Sequence, residues 1–257
     1  MKLRLHQFLS RTGSFSSKKD IIHSVRTGEV SINGKVVVNP EFIFDAAKCR
    51  VFWKGRLLQK VRGSVYIIIN KPEGYLSSRL TPNDRRLGKR SVFELVEKDK
   101  NIGEAAKKAL FCVGRLDEDT SGLLLITNDG KLGSRLTDPK HGIKKTYLVE
   151  LQKPIRGKAV AELEKGVVIE LEENGRIAAY KTRGCKIAAT PADMKKLEVT
   201  VSEGKKREVR RMFEAVGSKV LQLQRVAIAS LKLEDLNLKK GEYIIADRKL
   251  LEKATVL

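Results

Sequence analysis

Apolar positions in the first sixty residues recur at short helical and strand spacings. They predict two helices. The first has Leu3, Leu5, Phe8 and Leu9 as its apolar positions and ends at Gly13, and the second begins at the Ser16–Asp20 cap. A hairpin follows at Asn33–Gly34, the dipeptide most typical of a tight turn between two strands, and Val51–Trp53 predicts a further strand. The order predicts a small helix–helix–hairpin module.

Beyond residue 63 the apolar runs predict a larger domain. The predicted strands carry short continuous or alternating apolar runs; they are Val65–Ile69, Leu123–Ile126, Thr146–Leu151, Val167–Leu171, Leu197–Val201 and Tyr243–Ile245. The predicted helices carry apolar residues at helical spacing; they are Ser91–Ala109, a helix containing Leu132 and Leu136, Gly157–Glu164 and Glu208–Val216. Interspersed strands and helices predict an α+β fold with a mainly antiparallel sheet.

Charge divides the chain at the same place. Of its 257 residues, 52 are basic and 31 acidic, a net charge of +21. Residues 1–62 carry 13 basic and 4 acidic residues, a net +9, whereas residues 63–257 carry 39 and 27, a net +12. We therefore expect two domains, 1–62 and 63–257, with the break near Lys60–Ser64.

So positive a chain favours a polyanionic partner, either nucleic acid or an anionic membrane. No run of 18 apolar residues exists, and the N-terminus lacks the apolar stretch of a signal peptide. These absences favour nucleic acid over membrane, and we expect a cytoplasmic protein.

Metal and cofactor chemistry find little support in the residue types. The three cysteines are far apart without a CxxC pair, and there are only three histidines. Neither a P-loop, nor the dinucleotide-binding glycine pattern, nor a G-x-S-x-G serine elbow occurs. We expect no cofactor and no metal.

The densest polar cluster runs from Gly114 to Gly122, directly before the apolar run Leu123–Ile126. The glycines at its two ends indicate a tight loop held by a rigid strand. Catalytic residues commonly lie on such loops. A solvated acidic turn explains the same residues. A calcium loop is the other alternative, but its twelfth position is Asn128 instead of glutamate, and the apolar run interrupts it.

Two further elements carry polar groups beside apolar positions. In Glu203–Phe213 the apolar stripe of a helix lies next to Arg210, and an inward arginine needs a carboxylate or phosphate partner. Tyr147 stands early in a predicted strand. A solvated basic face and an ordinary core tyrosine remain the alternatives.

Several of these segments together form a set of motifs known from one family. They occur in the family's order; they are Ser16–Lys19, Val30–Val36, Asn70–Gly74, Val113–Gly130, Lys145–Tyr147 and Glu203–Phe213. Over nearly its whole length the chain resembles bacterial ribosomal-RNA pseudouridine synthases of the RsuA type. Its first module resembles an RNA-binding domain shared with a small-subunit ribosomal protein.

The resemblance implies a catalytic domain with a central cleft that isomerises a uridine already in ribosomal RNA. The glycosidic bond breaks, the uracil turns and a carbon–carbon bond forms, without cofactor or metal. The target base must leave its helix to be reached. We expect a monomer whose partner is ribosomal RNA; a non-catalytic RNA-binding or ribosome-assembly protein that keeps the fold is the alternative.

The resemblance also assigns roles to single residues. Asp117 is the catalytic aspartate that attacks ribose or uracil, Arg210 is its basic partner, and Tyr147 packs against the uracil as a candidate proton acceptor. Arg115 lies where the target nucleotide leaves the stack. Glu118 and Asp119 receive no role and are expected to be solvated.

RNA affinity is expected mainly from phosphate contacts of basic side chains. The candidates for these contacts, each of which a solvated surface also explains, are Arg4, Arg11, Lys18, Lys19, Arg26 and Lys71. The chain departs from the family in a longer segment between Val92 and Leu110 and in Cys112, where proline is common. The longer segment leaves the choice of substrate open.

Overall fold

A computed structural model describes residues 2–15, 17–59, 63–173, 175–189 and 194–254. The helices in this part of the chain are α1 (Leu5–Ser10), α2 (Lys18–Arg26), α3 (Pro82–Arg86), α4 (Glu94–Glu97), α5 (Glu104–Ala109), α6 (Gly130–Thr137), α7 (Gly157–Lys165), α8 (Glu208–Ala215) and α9 (Arg248–Ala254). The first strands are β1 (Lys2–Arg4), β2 (Val30–Ile32), β3 (Lys35–Val36), β4 (Ile43–Asp45), β5 (Val51–Trp53) and β6 (Arg56–Leu58).

The later strands belong to larger sheets. They are β7 (Tyr66–Lys71), β8 (Tyr75–Leu76), β9 (Arg90–Ser91), β10 (Phe111–Val113), β11 (Ser121–Thr127), β12 (Lys145–Leu151), β13 (Val168–Glu173), β14 (Arg176–Lys181), β15 (Cys185–Ala189), β16 (Lys196–Val201), β17 (Val220–Ile228), β18 (Leu231–Lys232) and β19 (Tyr243–Ala246). Short 3-10 helices lie at Pro139–His141 and Glu234–Leu236.

The chain folds into two compact units. The first comprises residues 1–65, 97–111 and 127–129, and the second comprises 66–96, 112–126 and 130–257. The domain boundary near residue 62 stays a prediction, and Lys60, Val61 and Arg62 lie outside the described residues. No helix of the described chain is both long enough and apolar enough to cross a bilayer.

The first unit contains a small four-stranded sheet in the order β3-β2-β5-β6 with α1 and α2. Ser17 caps α2, because its hydroxyl accepts the Asp20 amide hydrogen bond at 3.1 Å. Asn33 and Gly34 both have positive φ, as a type I′ hairpin turn requires, which confirms the predicted hairpin. Leu3, predicted to be helical, instead pairs with Phe44 in the β1–β4 ribbon.

The longer segment at residues 92–110 does not form the single predicted helix. It breaks into α4 and α5, because the Asp99 carboxylate accepts the Asn101 amide in a turn and Gly103 opens the second helix. Residues 97–111 belong to the first unit, where Gly13 contacts α5. A Cβ at Gly13 would lie 2.5 Å from the Ala105 carbonyl oxygen, so only glycine fits there.

A nine-stranded sheet forms the frame of the second unit. Its main path is β15-β16-β12-β17-β11-β7-β19, with β10 beside β11 and β18 beside β17. β12 pairs antiparallel with both β16 and β17, whereas β11 and β17 are parallel. The mixed α/β architecture with mostly antiparallel pairing agrees with the predicted fold class.

The middle of this sheet is buried on both faces. Every residue of β7 and β11 is buried, which explains their continuous apolar runs. In β12 the apolar side chains alternate, so that Tyr147 and Val149 are buried while Leu148 is exposed. The sequence patterns missed β14, β15 and β17, and β17 lies at the centre of the sheet.

Candidate active site

The loop that carries Asp117 enters strand β11 against the backbone of β17. Gly114 opens the loop at a φ of 73°, and Gly122 follows it at 107°, both conformations that favour glycine. A Cβ at Gly122 would lie 2.2 Å from the Arg225 carbonyl oxygen. The close approach of two strands therefore fixes the point from which the loop departs.

Two polar side chains hold this loop by its main chain. The Ser77 hydroxyl donates to the Leu116 carbonyl at 2.8 Å and accepts the Leu116 amide at 3.1 Å. The Lys71 ammonium donates to the Thr120 carbonyl at 2.8 Å, and also to the Pro72 carbonyl at 3.0 Å. Asp117 is thus displayed, half-buried, on a loop whose backbone is fastened on both sides.

Lys71 is consequently not an RNA-binding residue in this structure. Its side chain is fully buried and its ammonium is already bound to main-chain carbonyls, so no phosphate can reach it. Burial lowers the pKa of Lys71 to about 8. The prediction is wrong because sequence alone does not distinguish a lysine inside a strand from one on the surface.

Asp117 opens onto a cavity of about 390 Å³ in the second unit. Tyr147 from β12 and Arg225 from β17 form part of its floor, and Arg115 lies exposed at its margin. The apolar part of the lining includes Leu125, Leu136, Ile143, Val201, Leu223 and Ile228. The lining combines these apolar side chains with many charged and polar ones, and the volume lies in the range of about 300–1,000 Å³ that is typical of small-ligand sites.

Arg210 binds the other end of the same loop. Its guanidinium donates to the Asp119 carbonyl at 2.9 Å and to the Val220 carbonyl at 3.1 Å. It also forms an ion pair with the Asp119 carboxylate at 3.2 Å. The structure brings Arg210 inward, as its place beside the apolar stripe predicts, and joins the start of α8 to the loop.

The predicted ion pair between Arg210 and Asp117 is wrong in this structure. One guanidinium nitrogen is engaged by both the main chain and the carboxylate of Asp119, two residues further along the loop. Asp119 and Glu118 are therefore not merely solvated, since Glu118 pairs with Lys89 at 2.7 Å. The family pattern does not distinguish between acidic residues spaced so closely.

The cavity lining also contains Glu203 and Glu208, whose carboxyl groups are joined by a hydrogen bond. Burial, and after it the hydrogen bond with Glu203, raises the pKa of Glu208 to about 7. Although burial acts to raise the pKa of Glu203, hydrogen bonds from Tyr180 and Glu208 lower it. The Tyr180 hydroxyl donates to Glu203 at 2.8 Å, and Arg183 forms an ion pair with it at 3.3 Å.

Sequence reasoning missed the interior charges of this cavity. Arg225 is only 2% exposed, and its Nε donates to the Leu123 carbonyl at 2.7 Å. Lys145 donates to the Ile143 and Glu203 carbonyls. Arg225 was missed because β17 was not predicted. The only sequence signal was its position two residues from both Leu223 and Ala227, which places all three on the same face of a strand.

The cations proposed for RNA contact lie in the first unit, apart from Arg115 and Lys71. Lys18, Lys19 and Arg26 are exposed on α2 and Arg11 is half-buried. Arg4 is exposed and its guanidinium pairs with Glu41 at 2.7 Å. Among the described residues no group of three or more histidine, cysteine, aspartate or glutamate side chains is arranged to hold a metal ion.

Comparison with known proteins gives a consistent result. The family model described as RNA pseudouridylate synthase matches residues 65–215, which contain the Asp117 loop, β12 and α8. "Ribosomal small subunit pseudouridine synthase A" of Vibrio vulnificus is 34% identical over 94% of this chain and 94% of its own. An uncharacterized RNA pseudouridine synthase of Bacillus subtilis is also 34% identical, over 94% of this chain and 93% of its own.

A solved structure agrees with these relatives. The crystal structure of a pseudouridylate synthase superposes with a TM-score of 0.66 and 29% identity, and the match covers 98% of this chain and 99% of that one. Both units are therefore included in the likeness.

Proposed function

The chain belongs to the RNA pseudouridylate synthase family, and we propose that it converts a specific uridine of ribosomal RNA into pseudouridine with Asp117 as its nucleophile. The observation that carries the proposal is the position of Asp117. It lies on a loop fastened by Ser77 and Lys71 and faces a cavity floored by Tyr147. Relatives named as small-subunit ribosomal RNA enzymes favour that RNA as the substrate.

The proposed reaction is an isomerisation in which atoms and electrons balance within the nucleotide. The bond between ribose C1′ and uracil N1 breaks, the uracil rotates, and C5 bonds to C1′. The proton that C5 loses leaves to solvent or a base, and N1 gains a proton. No oxidant or reductant takes part, and aspartate side chains are ordinarily ionised at neutral pH, as a nucleophile requires.

The cavity suits a base that has left its helix. Its apolar walls and the Tyr147 ring offer surfaces against which the two faces of uracil can pack. Arg115 lies at the exposed margin, where it can occupy the space that the flipped nucleotide vacates. In this account Tyr147 packs against the uracil and is a candidate acceptor for the C5 proton.

Arg210 acts in this proposal as a positioning residue. Through Asp119 it ties α8 to the loop and so fixes the distance between Asp117 and the cavity floor. Free of an ion pair with Arg210, the Asp117 carboxylate remains available to the substrate. The first unit would add affinity through phosphate contacts of Arg4, Arg11, Lys18, Lys19 and Arg26.

Mapping pseudouridine in ribosomal RNA tests the proposal. RNA from cells with and without the gene is treated with a carbodiimide that marks pseudouridine and is then reverse-transcribed. We expect one mark in the small-subunit RNA to disappear on deletion and to return with the wild-type gene. An unchanged map would favour the alternative, a non-catalytic RNA-binding or ribosome-assembly protein that keeps the fold.

A further inference from the structure

We propose that Arg225 is a further catalytic residue, which binds a carbonyl oxygen of the target uracil and stabilises the negative charge that the base acquires. This inference rests on the proposed function. It starts from an arginine that the chain buries almost completely in the floor of the cavity, at 2% exposure.

The position of Arg225 is fixed by its strand neighbours. In β17 it lies opposite Tyr147 of β12 on one side and opposite Gly122 of β11 on the other. Its Nε donates to the Leu123 carbonyl at 2.7 Å, which orients the guanidinium plane. The residue therefore lies between the Tyr147 strand and the strand that follows the Asp117 loop.

One nitrogen of this guanidinium has no partner. Nη2 of Arg225 is buried without a hydrogen bond, and no carboxylate among the described residues lies within ion-pair distance of the side chain. A buried donor and charge left unpaired cost free energy that a protein rarely tolerates without a function. A ligand that brings an oxygen atom to Nη2 would satisfy both.

A second basic side chain, Lys145, lines the same cavity as Arg225. Burial lowers the pKa of Lys145, and the positive charge of Arg225 lowers it further, so the two groups lie close enough to interact. The lining also contains the carboxyl groups of Asp117, Glu203 and Glu208, none of which forms an ion pair with Arg225 among the described residues.

The oxygen atom that reaches Nη2 belongs to a base carbonyl and not to a phosphate, because Arg225 lies deep in the cavity. A flipped nucleotide stays joined to its chain at both phosphates, so these remain near the cavity opening and the base reaches furthest in. The same cavity is lined by Leu223, Ile228 and the Tyr147 ring, which offer surfaces that suit a ring better than a phosphate. Uracil offers two carbonyl oxygens, O2 and O4.

This contact would strengthen during the reaction. When the C1′–N1 bond breaks, its electron pair stays on N1, and the charge spreads over O2 and O4. A preorganised donor that meets such developing charge in a water-poor site lowers the barrier more than it strengthens binding. Arg225 would therefore contribute mainly to the rate and little to the affinity for RNA.

The test measures tritium release from C5 of uridine under single-turnover conditions. The substrate is small-subunit ribosomal RNA transcribed with tritiated UTP, presented free and as particles with total small-subunit proteins. Arg225→Met removes the charge and donors, Arg225→Lys keeps one charge, and Arg248→Met removes an exposed charge that forms an ion pair with Glu252. We expect Arg225→Met to lose about 10²–10³ in rate, with RNA binding nearly unchanged.

Partial rescue in Arg225→Lys and full activity in Arg248→Met are also expected. A rate in Arg225→Met within about threefold of wild type would overturn the proposal. If Arg225→Met fails to fold, Arg225→Lys decides, and a folded lysine variant with the wild-type rate overturns it as well. If the wild-type enzyme releases no tritium from any of these RNAs, the proposed function itself fails.

Thio-substituted transcripts separate contact with the base from a structural role. Sulfur accepts hydrogen bonds more weakly than oxygen. A transcript with 4-thiouridine therefore weakens a hydrogen bond to position 4 of the base, and one with 2-thiouridine weakens a hydrogen bond to position 2. When sulfur replaces the oxygen that Arg225 contacts, we expect the rate of the wild-type enzyme to fall about tenfold or more. The residual rate of Arg225→Met should fall clearly less, because that variant has no such contact to lose. Equal losses in both enzymes at both positions would show a structural role and refute the contact.

Discussion

Replacing Glu208 with glutamine should make the second unit more stable above neutral pH. Glu208 is 5% exposed, and its carboxyl shares a hydrogen bond with Glu203. Glutamine has the shape of the protonated acid. Its amide nitrogen can donate to Glu203, and its oxygen can still accept the Lys205 amide hydrogen bond, which measures 3.1 Å to Glu208 in the wild-type chain. The substitution therefore keeps the contacts of the protonated form and removes the charge.

The direction in which stability changes with pH follows from the raised pKa of Glu208. Burial raises the pKa of Glu208 from 4.5 to about 7, so between these values the folded chain binds a proton that the unfolded chain has lost. Stability contributed by this proton is complete below about pH 4.5 and is lost as the pH rises through 7. At about 1.4 kcal/mol for each pH unit by which a pKa moves, the loss amounts to at most about 3.5 kcal/mol.

Thermal and urea unfolding between pH 4.5 and 8.5 measures this difference. We expect wild type and Glu208→Gln to be about equal at pH 4.5, and the variant to be more stable by up to about 3.5 kcal/mol at pH 8. For a domain of about 150–250 residues each kcal/mol raises the melting temperature by about 2–4 °C. Glu214→Gln, an exposed position on the same helix, is the matched control. Parallel curves for wild type and Glu208→Gln would refute the raised pKa of Glu208 in the folded chain.

Three other predictions concern the loop, the strand junction and the first unit. Ser77→Ala leaves the buried main-chain groups of Leu116 without partners; urea unfolding should show a loss of about 1–3 kcal/mol, and tritium release should slow. Gly122→Ala places a Cβ 2.2 Å from a strand carbonyl at a φ of 107°, and should destabilise the unit by more than about 3 kcal/mol in the same assay. Replacing Lys18 and Lys19 with glutamine should reduce the salt slope of RNA binding by about 1 for each phosphate that the two lysines neutralise; an unchanged slope would remove them from the interface.

The fold was predictable where pattern and burial coincide. Continuous apolar runs identified β7 and β11, and the Asn33–Gly34 dipeptide identified its hairpin because few other residues adopt positive φ there. β17 was missed because glutamines and an arginine interrupt its apolar positions, even though it pairs with strands on both sides. Local pattern does not record a strand whose burial is decided by distant partners.

The site was predictable only in part for a related reason. Motifs located Asp117 and Tyr147, which the structure places around one cavity. The partner of Arg210 could not be read from spacing, because Asp117 and Asp119 are two residues apart and only the loop geometry selects between them. Lys71 was assigned to RNA binding and Arg225 was missed, because a basic residue in a sequence is normally expected to be exposed to solvent. In the structure both side chains are buried and donate to main-chain carbonyls.

The nucleophile assignment is tested most directly by tritium release from ribosomal RNA with Asp117→Asn. Asp247→Asn, an exposed carboxylate that accepts the Leu250 amide, serves as the charge-matched control. We expect Asp117→Asn to lose at least about a thousandfold in rate while it binds the RNA as wild type does, and Asp247→Asn to keep full activity. Tritium release by Asp117→Asn at the wild-type rate, with RNA binding unchanged, would contradict the account.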